Sequence, residues 1–382
     1  EGAWSATIVE GGDDFITLRS TVEGSGSDNA QQTGVKSIEG AGEHPIDFWI
    51  DFKGTIPEGA TPRCAIVRVR YHNYTCEHDI FVRQGYAPIT INGNAESNNN
   101  PAWTSYNVYR FDANNAPVYT KSPLEEGSLF RRGNRTAILA SNNDRSGFTF
   151  GVEPTGSFNV LEFGSATTSQ KTWSQLAPST DDVTNRFKEW SIAGDHERIA
   201  TIEDFYTLES TSIHSNINKA YGVLYGDGAT ETQKSVKEAF GYDHNEDPTN
   251  SKKGMRGCFV FNVNNSRNIF FPIGKSGYGR RKGMTSNGEK VGTLRYAQRT
   301  DYYNNDGTGN IQYVPLFYDL FERPGAIYQC RNRLESTNNE VKNSSAFDIN
   351  YFTMGFEGFE NGASNNNNGS DSDACFIRTV KY

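Results

Sequence analysis

The chain has 382 residues and a formal net charge of −9. That length accommodates roughly two or three domains, and the acidic balance excludes a partner held by its phosphate backbone. No apolar run reaches membrane-spanning length, while 24 Phe and 19 Tyr against 3 Met favour half-buried pleated surfaces and a β-rich fold.

Residues 1–88 read as short strands. The segments 15–22, 46–52, 63–70 and 78–83 follow one another with polar turns between them. Ala65, Val67 and Val69 share one face of the third. Strand, turn, strand at this spacing is the pattern of an antiparallel sandwich. The stretch 24–42 is small, polar and glycine-rich, and reads as loop. Tyr86, Ala87 and Pro88, followed by the polar run 92–100, mark a domain boundary.

From Trp103 onward the pattern is mixed. Strands are predicted at 108–111, 136–140, 148–152, 160–163, 258–263, 268–271 and 375–381. Helices are predicted at 181–190, from Thr201, and at 230–240. Thr201 stands three residues before Asp204, a capping box with Asp in place of the usual Glu. The five cysteines contain no C-x-x-C pair, so a thiolate zinc site is not expected. Either all are buried or half-buried thiols, or one bridge joins Cys258 to Cys375.

Gly274, Lys275 and Ser276 match the tail of a phosphate-binding loop. The full motif needs a glycine five residues earlier, where Ile269 stands, so no nucleotide is expected. None of the six histidines falls in H-E-x-x-H or beside a nucleophilic Ser or Cys. A catalytic set assembled only in space is the remaining enzymatic alternative. Asp243, Asn245 and Asp247 have EF-hand-like spacing, but Pro248 replaces the required glycine. Asp371 and Asp373 are the weak calcium candidates; otherwise no cofactor is expected.

Two resemblances organise these pieces. Arg63–Val69, then Ile80 to Gly85, is similar to the closing hairpin of BACON domains, and Trp4 and the strand at residue 46 fit the same pattern. That family is immunoglobulin-like, belongs to surface and secreted proteins of gut Bacteroidetes, and implies a stalk or a carbohydrate-binding module. Residues 126–133, 197–205, 257–261, 269–274 and 375–381, in that order, resemble the Fibrobacter-type major paralogous domain family. That resemblance implies a C-type lectin-like fold, also that of the formylglycine-generating enzyme, with Arg198, Ile199, Ala200 and Thr201 leading into a helix. The paired cysteines of that enzyme have no counterpart at Cys330, so its activity does not carry over.

The expectation is a mostly β chain with an α+β second domain: residues 1–88 an immunoglobulin-like sandwich, residues 89–382 a C-type lectin-like head. In that head 269–272 forms a central strand, and the final strand returns beside the first. The candidate ligand surface is Tyr296, Tyr302, Tyr303, Asn304, Asn305, Asp306, Tyr313 and Tyr318, where Tyr and Asn combine rigid contact area with adaptable hydrogen bonds. The expected role is a non-enzymatic adhesion or binding protein, secreted or on the outer-membrane surface, whose partner is a glycan or a host or bacterial surface protein. Two alternatives stand beside it: a glycan-capturing surface lipoprotein, and the variable protein of a diversity-generating retroelement. Glu1 in place of Met suggests a processed N-terminus, and a removed lipoprotein anchor would be the membrane link.

Overall fold

The computed structural model describes residues 2–20, 32–41, 46–123, 125–131, 133–140, 156–177, 192–194, 196–208, 216–224, 255–272, 325–329, 331, 346–350, 354–357 and 374–382. The protein is mostly β, with very little helix. No helix among the described residues is long and apolar enough to cross a membrane.

The first unit has six strands: β1 (Trp4–Gly11), β2 (Ile16–Ser20), β3 (Ser37–Gly40), β4 (Phe48–Phe52), β5 (Arg63–Tyr71) and β6 (Cys76–Gln84). They form a four-stranded sheet in the order β3-β1-β5-β6 and a two-stranded sheet β2-β4. Alternation explains how the sheets close. Trp4, Ala6, Val67 and Val69 point from one sheet, and Ile16 and Leu18 from the other, into one buried cluster. Trp4 stacks on Phe48 across it, ring centroids 6.2 Å apart. The loop expected at 24–42 contains β3, because Ile38, fully buried, pairs with Ala6 and completes this cluster. A single apolar residue among polar ones gave no periodicity to read.

The second unit begins with β7 (Ala102–Trp103), β8 (Val108–Phe111) and β9 (Pro117–Tyr119). Next come β10 (Ser128–Arg131), β11 (Ala137–Leu139), β12 (Ser157–Leu161) and β13 (Thr168–Thr172). Strand β14 (Glu197–Ile199) leads into helix α1 (Ile202–Tyr206), followed by β15 (Ile217–Leu224), β16 (Met255–Asn262) and β17 (Asn268–Pro272). The chain continues with β18 (Gly325–Gln329), β19 (Ala346–Asn350) and β20 (Met354–Glu357), and ends with β21 (Ala374–Cys375) and β22 (Thr379–Lys381).

The sheets run β13-β12-β11-β10-β21, β14-β22-β7, β15-β16-β17 and β18-β19-β20, with a β8-β9 hairpin. The inner strands β10 and β11 of the five-stranded sheet are buried on both faces. Leu129, Ile138 and Val160 join the main core with Trp103, Phe205, Phe271 and Tyr328, while Phe130, Ala137 and Leu161 join a second cluster with Phe111.

The capping box at Thr201 forms as expected. The Thr201 side chain accepts from the Asp204 amide, and Asp204 Oδ2 accepts from the Thr201 amide at 2.8 Å. The helix is only five residues long, so packing of Phe205 holds it rather than propensity. The predicted helices at 181–190 and 230–240 and the strand at 148–152 lie outside the described residues.

Three expectations are corrected. The single strand at 375–381 is two strands, β21 and β22. The carbonyls of Phe376, Ile377, Arg378 and Thr379 accept from the amides of Gln329, Val108, Ala200 and Thr104, four separate segments that one flat ladder could not serve. Strand β17 lies at the end of its sheet among the described residues, not at the centre, and is buried by packing instead of by a second pairing. Cys258 and Cys375 are both buried free thiols, so no bridge joins them. Cys64 and Cys76 are free as well, and Cys330 lies outside the described residues.

Candidate functional site

The junction between the units is built from both. Along β6, Ile80 and Val82 face the first core, so Phe81 and Arg83 face the other way. Phe81 stacks on Phe259 of β16, centroids 5.0 Å apart, and tilts against Phe261 at 4.7 Å. Cys64 of β5 likewise leaves the first core and joins the main core of the second unit.

The β16–β17 turn clamps the connection. Ser266 Oγ donates to the Cys64 carbonyl at 2.6 Å, and Asn265 Nδ2 donates to the Ile91 carbonyl at 3.3 Å. Arg267 Nη1 donates to the Thr90 carbonyl at 3.0 Å and to Thr90 Oγ1 at 2.9 Å. Ser266 is fully buried with φ of 55°, a left-handed conformation held by this docking. Gly11 meets it from the first unit. A Cβ there would stand 2.5 Å from Ser266 Oγ and 2.2 Å from the Cys64 carbonyl oxygen, so only glycine fits. The polar boundary at 92–100 is therefore preceded by an anchored segment, with Ile89 and Ile91 in the core.

Beside this contact lies an open cleft of about 920 Å³. Phe52 at the end of β4 and residues 55–60 of the β4–β5 connection form one wall, residues 83–88 the other, and Lys381 of β22 stands at the margin. Phe52 and Tyr86 are 50% and 71% exposed, so two large aromatic surfaces face solvent within one cavity. Tyr86 is not loose: its ring leans on Tyr106 at 5.6 Å, and its carbonyl accepts from Ser105 Oγ at 2.8 Å. Burial pushes the Tyr106 phenol well above its ordinary value, so it stays neutral beside Tyr86. Ile56 enters the cavity over Gly85, whose φ is +99° and whose Cβ would meet Ile56 Cδ1 at 2.6 Å.

Arg83 forms the inner end. Its Nε donates to the Gly85 carbonyl at 3.1 Å, Nη2 to the Ala87 carbonyl at 2.7 Å, and Nη1 to the Asn268 carbonyl at 3.3 Å. It thus ties the connecting segment to β17, and burial lowers its pKa.

Two other polar groupings stand in the second unit. Around Arg378, fully buried, Nε donates to Asn107 Oδ1 at 2.8 Å, Nη1 to the Thr104 carbonyl at 2.9 Å and Nη2 to the Phe270 carbonyl at 3.0 Å. Its guanidinium lies 4.6 Å over the Phe271 ring. Burial lowers its pKa to about 10 and raises that of nearby Tyr328 to about 12. Arg378, Tyr328 and Asn107 are all buried, so this network serves the fold. Glu197 accepts from Thr379 Oγ1 at 3.0 Å and from the Tyr119 hydroxyl, and burial raises its carboxyl. Glu197 is thus already bonded to two hydroxyls, and Lys381, its register partner on β22, acts on it electrostatically.

The predicted ligand residues Tyr296, Tyr302, Tyr303, Asn304, Asn305, Asp306, Tyr313 and Tyr318 lie outside the described residues, as do Asp371 and Asp373. Among the described residues no group of three His, Cys, Asp or Glu side chains could hold a metal ion. Sequence reasoning passed over Tyr86 and Phe52 because each stood at the edge of a strand or boundary, where an exposed ring and a core ring look alike. Comparison with family models, curated proteins and solved structures gives no match.

Proposed function

We propose that the chain is a non-enzymatic binding protein of the cell surface, in which an immunoglobulin-like unit supports a C-type lectin-like unit and the two share a ligand cleft. Two facing sheets around one core support the first assignment. The pairing of β22 with β7, last strand beside first, supports the second. The function rests on one observation, the open junction cleft with Tyr86 and Phe52 exposed inside it. Pockets at such junctions are preferred ligand sites. An exposed, braced aromatic ring suits the apolar CH face of a pyranose, so a glycan is the favoured ligand over a protein surface.

The test is a glycan array on the full chain, followed by calorimetry on the hits. Tyr86→Ala and Phe52→Ala should each weaken binding about tenfold, the loss of one aromatic contact. Undiminished binding in both variants would remove the cleft from the account. Tyr302→Ala with Tyr303→Ala provides the matching arm for the surface read from sequence. Loss there, with the cleft variants intact, would move the site to that segment.

A further inference from the structure

We propose that the junction cleft selects an acidic saccharide, with a sugar ring against Tyr86 and its carboxylate drawn toward Lys381 and Arg83; this rests on the binding role proposed for the cleft. The chain as a whole carries a net charge of −9, yet the cleft is lined by two cations and one carboxylate, Glu58. The balance at this one place is reversed.

Arg83 makes that reversal physical. Its three hydrogen bonds all go to neutral carbonyls, of Gly85, Ala87 and Asn268. The described groups that act on it electrostatically are the Cys64 thiol, the Tyr106 phenol and a second cation, Arg378, none of them a carboxylate. A half-buried cation with no carboxylate beside it among the described residues is costly. Its field emerges into the adjoining cavity, where low-dielectric walls focus it. An arriving anion offsets part of that cost, whereas a neutral sugar cannot. Lys381 stands exposed at the margin on β22, able to follow a ligand carboxylate with its flexible stem. The aromatic surfaces supply affinity for the ring, and the cations supply the preference for charge.

The probe is tri-galacturonate against its methyl ester, which keeps the rings and removes the charge. Calorimetry on the full chain should show the acid binding about tenfold tighter than the ester, the magnitude of one charge-assisted hydrogen bond. The advantage should shrink at high salt. Lys381→Gln should bring the two ligands to within about threefold. Tyr86→Ala should weaken both. Circular dichroism confirms that each variant folds. Equal affinities for acid and ester in the wild-type protein would overturn the acidic preference while leaving the cleft as a binding site. Unchanged affinities in Tyr86→Ala would overturn the cleft itself. Failure of the acid to bind at millimolar concentration would overturn the proposal.

Discussion

The two units solve the same problem, closing a mostly β core, by different means. In the first, strands of four to nine residues bury an apolar cluster, and charges stay at the surface in ladders such as Arg68 with Asp79 and Arg19 with Asp51. In the second, many strands are two to five residues long, and a buried guanidinium reaches three backbone or side-chain acceptors that no ladder satisfies. The first unit is held by pattern, the second by specific polar satisfaction. The lesson concerns fragility: a core made of interchangeable apolar residues tolerates substitution, whereas one made around Arg378 does not.

The sharpest way to break this contrast is Arg378→Met. It keeps much of the volume but leaves Asn107 Oδ1 and the carbonyls of Thr104 and Phe270 without a donor. The expected loss is about 4 kcal/mol, read by urea unfolding. Ile16→Val in the first core should cost only about 1 kcal/mol by the same measurement. Comparable losses would erase the distinction.

The junction comes next. Gly11→Ala must displace Ser266 or the Cys64 carbonyl and adopt a positive φ, costing about 3 kcal/mol. The contact with Ser266 Oγ crosses between the units while that with the Cys64 carbonyl lies within the first, so calorimetry is expected to show one transition for the wild type and two for the variant. A smaller effect is expected at the helix start, where Thr201→Ala removes the cap of α1 and costs about 1 kcal/mol.

The smallest effect is a pH dependence. Burial raises the Glu197 carboxyl above its ordinary 4.5 in the folded protein. The folded state therefore holds that proton more tightly, and its contribution to stability is present below 4.5 and lost as pH rises through the folded value. Glu197→Gln cannot ionise and keeps an acceptor for Thr379. Its melting temperature should exceed that of the wild type at pH 7, and the gap should close as pH falls toward 4.5. A gap that widened on acidification would contradict the assignment of burial as the cause.

Legibility followed the same division. The strands 63–70 and 78–83 were readable because alternation of Ala65, Val67 and Val69 is a one-sided signal. The burial of Cys64 and Ile66 and the stacking of half-buried Phe81 on the opposite face were not, since a covered outer face depends on a second unit that periodicity does not know. Thr201 and Asp204 announced their helix because a capping box is local. Arg378 was visible only as a letter in a final strand. Its role arises from Asn107, Thr104 and Phe270, more than a hundred residues away in the chain. The cleft was hidden for the same reason: Phe52, residues 55–60 and 83–88, and Lys381 meet only after both units fold.

The most direct test of the central claim is calorimetry of the wild-type chain and the Phe52→Ala, Tyr86→Ala double variant against the strongest ligand found on a glycan array. The account predicts that the double variant folds with an unchanged far-ultraviolet spectrum and loses at least about fiftyfold in affinity. Full affinity in a folded double variant would contradict it.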